Sequence, residues 1–248
     1  MYIKAISISD RKGIRKTNIH SSELLENFGL AGDAHGGRWH RQVSLLAQES
    51  INSMRAKGLD VVAGNFAENI TTEGIDLTAL RVGDHIRVGG TELVISQLGK
   101  ICHKPCAIFH QAGDCVMPRE GIFGVVVTGG TIQVGDAIRI LERRSTSAAI
   151  VCSATIEKEF GEGLQEILAR SWSPGFIRFD CLNGAEDNLP AILQDLTATQ
   201  VVDRILIFDP PGRHLPSLAG YPDGPDAHHL KGGKGISHCR SLEEVEGL

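Results

Sequence analysis

The chain has 248 residues, 42% hydrophobic and 22% charged, with a formal net charge of −5. This is a globular composition, long enough for one large or two modest domains, and its acidic balance gives no global field for nucleic acid. No apolar run approaches a membrane span and the start lacks a signal-peptide core, so a soluble cytoplasmic protein is expected, with reduced thiols and neither nucleic-acid nor membrane partners.

In chain order, YIKAISIS alternates apolar and polar residues as a strand does. A basic loop then leads into the strand QVSLL, and AQESINSMRAKG reads as a helix closed by Gly58. GNFAENITTEG is a loop running into a short strand, and LRVGDHIRVGGTELVISQLG gives three strands joined by tight turns. The phrase VGDHIRV (82–88) returns as VGDAIRI (134–140), which fits matching hairpin turns better than a repeat array. Many strands, Gly-rich turns and few helices predict a β-rich barrel over residues 1–141. Residues 142–149 read as a linker, because ERRSTS is polar and aperiodic.

Residues 150–248 change rhythm. AAIVCSA, FIRFDC and DRILIFDPP read as strands, separated by helices in EKEFGEGLQEILARSW and NLPAILQDLTAT. Phe160, Leu164, Ile167 and Leu168 fall on one face of the first helix. This alternation predicts a small α/β domain with a parallel sheet, ending in a Gly/Pro-rich tail that is mostly loop.

Three stretches could carry chemistry. GLAGDAHGGRWHRQ places Asp33, His35, Arg38, His40 and Arg41 just ahead of a strand, with Trp39 among them. A solvated basic loop is the plain reading; the aromatic favours a pocket wall instead. His35 and His40 as a zinc pair lack two further ligands at sensible spacing. GNFAENI holds Glu68 and Asn69, in a turn or in a site. GKICHKPC (99–106) packs Lys100, Cys102, His103 and Cys106 together, with Cys115 nearby, and reads as a metal clamp, a disulfide, a reactive thiol or a polar loop. Its spacing is not that of a zinc knuckle, and six cysteines in the chain are too sparse for a disulfide framework. Cationic neighbours favour the thiolate, so a reactive or metal-binding thiol leads.

GDAHGGRWHRQVSLLAQE, GNFAENITTEGIDLTALRVGD, a strand entering the cysteine loop, and GIFGVVVTGGTIQVGD occur in this order. Together they resemble the MOSC family, named for the C-terminal domain of molybdenum-cofactor sulfurase, and the resemblance covers the N-terminal part only. It implies a β-barrel whose pocket holds one important cysteine, with roles in binding the molybdenum cofactor (molybdopterin) and in carrying sulfur as a persulfide. Some relatives ligate molybdenum through that cysteine and reduce N-hydroxylated compounds.

By position, the resemblance places the family cysteine at Cys106, as persulfide carrier or molybdenum ligand. It places the Arg-Gln pair at Arg41 and Gln42, and the Glu-Asn pair at Glu68 and Asn69. Cys102, His103 and Cys115 are additions to that pattern; Cys102 and His103 are candidate catalytic residues with Cys106, Cys102 as the resolving thiol four residues away. Arg38, Arg41 and Lys100 are the candidates to face the cofactor's phosphate, and His40, Gln42, Glu68 and Asn69 are the other candidate cofactor-binding residues.

Residues 142–248 resemble, distantly, the molybdopterin adenylyltransferase domain fused to some such proteins, but they lack its Gly-Gly-Thr-Gly loop; Gly129-Gly130-Thr131 belongs to a barrel hairpin. No adenylyl transfer is expected. HHLKGGKGISHC reads as a flexible tail, a ligand set or a phosphate loop without the P-loop ending.

Three functions remain open: a sulfur carrier in molybdenum-cofactor metabolism, a molybdenum-dependent reductase, and a non-catalytic cofactor-binding or scaffold module. As an enzyme it would be a sulfurtransferase or a molybdenum-dependent oxidoreductase. A cysteine desulfurase or a molybdoenzyme is the expected partner. Pyridoxal phosphate is not expected on this chain, because no lysine has a pyridoxal context.

Overall fold

The computed structural model describes residues 1–99, 115–171, 175–182, 189–211, 228–230 and 234–247. It divides into two compact units, Met1–Arg144 and Ser145–Leu248. In the first, strands β1 (Tyr2–Ile8), β2 (Thr17–Ile19), β3 (Ser21–Leu25), β4 (Gly29–Leu30) and β5 (Val43–Ala47) precede helix α1 (Gln48–Ala56). Then come β6 (Ile70–Glu73), β7 (Asp84–Val88), β8 (Thr91–Leu98), the single turn α2 (Met117–Glu120), β9 (Ile122–Thr128), β10 (Gly130–Gln133) and β11 (Ile138–Arg144).

Eight of these strands form one sheet in the order β11-β7-β8-β9-β5-β6-β1-β2, and β10-β3-β4 form a second. The large sheet curls. The Ile3 amide donates to the Asp136 carbonyl at 2.9 Å, and the Gly135 amide donates to Ile3 at 2.9 Å. Tyr2 also bridges Ala137. Strand β1, next to one end of the sheet, thus meets the turn before β11 at the other end, as the coiling of a twisted sheet allows.

The inner face gathers Ile3, Ile6, Val43, Leu45, Ile70, Ile86, Leu93, Ile95 and Val126 into one core. On the other side Leu46, Ile51, Met54, Leu59 and Phe123 form a second cluster under α1. Strand β5 lies between them with all five residues buried, which is why it reads as a continuous apolar run. Helix α1 ends as the sequence predicts. The Gly58 amide donates to the Arg55 carbonyl at 2.9 Å and the Leu59 amide to Met54 at 3.4 Å, the two bonds of a Schellman ending.

The repeated VGD phrases build the same turn twice. Asp84 accepts the Arg81 amide at 2.8 Å, and Asp136 accepts the Gln133 amide at 2.9 Å. Gly83 and Gly135 share the left-handed backbone, φ 96° and 95°. The strands that follow pair with each other, Ile138 opposite Val88 and Ile140 opposite Ile86. The strand expected before the first of these turns is absent: Leu80–Val82 lies where the chain turns between a short 3-10 segment and β7.

Residues 142–149, read as a linker, hold the end of β11 and the start of β12 (Ser147–Ser153). The second unit continues with α3 (Ala154–Ser171), β13 (Phe176–Leu182), α4 (Leu189–Gln194, extended by a wider turn to Thr199) and β14 (Arg204–Phe208). Then follow β15 (His228–Leu230), β16 (Lys234–Cys239) and α5 (Leu242–Glu246). The sheet order is β13-β12-β14-β16-β15, with β15 antiparallel and the others parallel.

Ile156, Leu164, Ile167 and Leu168 of α3 are buried, and Phe160 meets Phe208 edge-on at 5.5 Å. Asp203 accepts the Ser147 amide at 2.8 Å and fixes the start of β12 against β14. The C-terminal stretch departs from the expected loop: β16 lies in register on β14 and buries Cys239 completely. Ser241 and Glu244 cap α5, accepting the Glu244 amide at 3.2 Å and the Arg240 amide at 2.7 Å. Among the described residues, no helix is long and apolar enough to cross a membrane.

Candidate functional site

The basic loop between β4 and β5 hangs on one buried carboxylate. Asp33 accepts the Ser9 amide at 2.9 Å, the Lys16 ammonium at 2.8 Å and the Asn69 amide at 3.1 Å. The Lys16 and Asp33 side chains are each 1% exposed. Burial acts to raise the pKa of Asp33, but the Lys16 and Ser9 bonds outweigh it and hold the group below its ordinary value. The His35 ring lies 3.6 Å from the same carboxylate.

Beyond Asp33 the loop folds over Phe28. The Gly37 amide donates to the Phe28 carbonyl at 2.8 Å, and the Phe28 ring lies where a Cβ on Gly36 would stand, 2.5 Å away. Trp39 donates its indole N–H to the His35 carbonyl at 3.1 Å, and the Arg41 guanidinium sits 4.7 Å over the Trp39 ring.

Two residues singled out in the sequence converge on a third that was not. The His40 ring is 2.9 Å from Gln97 Oε1, and Arg41 donates to that oxygen at 3.3 Å. Gln97 in turn donates to the Gly99 carbonyl at 2.8 Å. Its neighbour Ser96 donates to the His40 carbonyl. The basic loop is therefore tied to the last described residue before the cysteine segment. Gln97 and Lys16 were not picked from the sequence. The available signal for Gln97 is a Ser-Gln pair interrupting the apolar run Leu93–Leu98 of β8; for Lys16 there is none.

The remaining candidates are placed differently. Arg38 is exposed, while Trp39 is 37% exposed. Gln42 is buried, accepting the Val126 amide at 2.9 Å and donating to Asn27 at 2.9 Å, so it extends the β5–β9 ladder with its side chain. Glu68 is fully buried and accepts the Gly64 and Phe66 amides and the Thr71 hydroxyl at 2.5, 3.1 and 3.0 Å. Burial raises its pKa against those bonds. Asn69 binds Ser44, Ser7 and Asp33 and so locks β5, β1 and the loop together. Asn69 thus holds the loop through Asp33, while Glu68 fixes its own turn ahead of β6.

Cys115 packs in the apolar cluster of Leu46, Ile51, Met54 and Phe123. Lys100, Cys102, His103 and Cys106 lie outside the described residues. Among the described residues, no group of three or more His, Cys, Asp or Glu could hold a metal ion. Arg38 and Arg41 suit an anion, since a guanidinium offers paired planar donors for phosphate oxygens, while the His40 ring is engaged with Gln97.

The MOSC domain family matches this chain over residues 31–139, so the N-terminal part carries a MOSC domain. No curated protein matches. Among solved structures, YiiM from Geobacillus stearothermophilus is 21% identical with a TM-score of 0.43, over 57% of this chain and 75% of its own. YiiM from Escherichia coli is 19% identical with a TM-score of 0.44, over 58% of this chain and 72% of its own. A crystal structure of a hypothetical protein is 20% identical with a TM-score of 0.45, over 58% of this chain and 69% of its own.

Proposed function

We propose that this MOSC domain handles the molybdenum cofactor and carries sulfur on Cys106. The observation that supports it is the convergence of His40 and Arg41 on Gln97, whose amide grips Gly99. That joint sets a cationic loop beside the start of the segment bearing Cys102 and Cys106. Arg41 and Arg38 are the groups to hold the phosphate of molybdopterin, with Lys100 from the cysteine segment. Cys106 is the residue to carry terminal sulfur or ligate the metal, and Cys102 the thiol to resolve the persulfide. Asp33, Glu68, Asn69 and Gln42 are positioning residues that fix the loop and its strands. When bound as a ligand complex, molybdenum supplies two-electron redox chemistry of the kind needed to reduce an N-hydroxylated compound. Residues 150–248 are assigned as a small α/β domain without adenylyl transfer.

The test is sulfur loading by a cysteine desulfurase and cysteine, read by intact and peptide mass. The expected result is a gain of about 32 mass units (one sulfur) on Cys106, released as sulfide by reductant and absent in Cys106→Ser. Stoichiometric molybdenum, lost in Cys106→Ser, with hydroxylamine turnover would replace the carrier by the reductase. Cofactor affinity unchanged in Cys106→Ser, with neither signal, would leave only a binding module.

A further inference from the structure

The second unit carries three cysteines that the proposed function does not use, all near the carboxyl ends of parallel strands. Cys152 on β12 and Cys181 on β13 are register partners. Cys239 on β16 is the partner of Phe208 on β14. In-register neighbours of a parallel sheet point to one face. Here that face packs on α3, where Cys152, Phe208 and Cys239 join Ile156 and Leu164, with Cys181 at the margin. All three are free thiols.

Only one pair among them can join. Neighbouring strands run about 4.8 Å apart, inside the Cα separation a disulfide needs, whereas two strand spacings are about 10 Å and too far. The Cys181 residue lies directly opposite Cys152 across the β12–β13 pair. Its thiol donates to Glu157 Oε2 at 2.9 Å, from the first turn of α3. Cys152 is fully buried, while Cys181 is partly open to solvent. The neighbouring Cys152 thiol, burial and the Glu157 carboxylate all push the Cys181 pKa up, so its sulfur keeps its proton and needs a base in order to attack.

We propose that Cys152 and Cys181 form a two-electron dithiol–disulfide couple that reduces small-molecule disulfides of the glutathione class, with Glu157 as proton acceptor. Cys181 passes its proton to Glu157 as its sulfur attacks one sulfur of the small disulfide. That disulfide bond breaks, and the departing thiolate takes the proton from Glu157. Cys152 then attacks Cys181, expels the second small thiol and gives up its own proton to it. One small disulfide becomes two thiols, and the protein dithiol becomes one disulfide. Cys181 meets the reagent because it is the accessible thiol, and Cys152 resolves. Oxidation also takes from Glu157 the donor that ties the first turn of α3 to β13.

The experiment equilibrates the full chain in buffers of graded glutathione disulfide to glutathione ratio, traps free thiols by alkylation and maps peptides without reduction. The expected product is a linked Cys152–Cys181 pair, lighter by about 2 mass units (two hydrogens), reversed by excess thiol. Cys152→Ala stops at a mixed disulfide on Cys181, and Glu157→Gln slows the first step by roughly 100-fold. Wild-type protein carrying only the mixed disulfide, a link from either residue to Cys239, or both thiols still alkylatable at the most oxidising ratio overturns the proposal. The wild-type map does not depend on how the variants fold. It also does not depend on Cys106, so failure here and failure of sulfur loading are distinguishable.

Discussion

Replacing Asp33 by alanine should be the most damaging single change in the loop. The substitution leaves the Lys16 ammonium, 1% exposed, without its 2.8 Å carboxylate. It also strips the acceptor from the Ser9 and Asn69 amides. Removing one member of a buried ion pair costs about 3–5 kcal/mol, and each stranded buried donor about 1–3 kcal/mol more. Lys16→Met leaves the carboxylate with the two amides still bound, so its cost should stay near 3 kcal/mol, about the lower end of that range. Against a total stability of about 5–15 kcal/mol, the alanine variant should be largely unfolded in its N-terminal unit at 37 °C. Urea titration followed by Trp39 emission, in a Trp172→Phe background, separates the two. The ion pair is shielded, so adding salt should change neither result much. A loss under about 1 kcal/mol for Asp33→Ala, or a larger loss for Lys16→Met than for Asp33→Ala, would refute the reasoning.

Asp33 also sets an acid limit. Its folded pKa lies below the unfolded value of about 3.9, so its contribution is full above that value and is lost as pH falls through the folded pKa; an Asp33→Asn variant should lose this acid-dependent part of the unfolding midpoint. Glu68 has the opposite sign, since burial raises its pKa, and its contribution weakens as pH rises from about 4.3 through the folded value; Glu68→Gln should flatten that part of the stability curve. Gly135→Ala should cost about 1–2 kcal/mol through its left-handed backbone alone, since nothing lies within 4 Å of the added Cβ, while Gly90→Ala, equally open but with ordinary φ, should cost little; thermal melts compare them. Ser241→Ala should lower stability of the second unit by about 1 kcal/mol through loss of the α5 cap, measured by denaturant titration of that unit.

Much of the fold was legible because periodicity survives in long elements. The buried face of α3 and the all-buried β5 have patterns that burial on one side or on both would write into any sequence. Strands β2, β3 and β4 were not legible. They have three, five and two residues, too short for a period to show, so pairing with β1, β10 and each other sets them. The C-terminal β16 was hidden by its glycines, although Ser241-Leu-Glu-Glu244 carried a readable capping signal for α5. In the site, Arg41 and Asn69 belong to recognisable phrases. Lys16 and Gln97 acquire their roles only from partners distant in the chain, at Asp33 and Arg41, and no local pattern announces such a partner.

We propose that one sulfur, Cys106, is ionised and reachable at neutral pH, and that Arg41 favours its thiolate. The most direct test is the rate of iodoacetamide modification of each of the six cysteines in the native protein at neutral pH, resolved by peptide mass, in wild type and Arg41→Ala. The expected result is Cys106 reacting first, well ahead of Cys115, and slowing by about tenfold or more in Arg41→Ala (about 1.4 kcal/mol lost from thiolate stabilisation). Cys106 reacting no faster than Cys115, or at the same rate in both proteins, would contradict it.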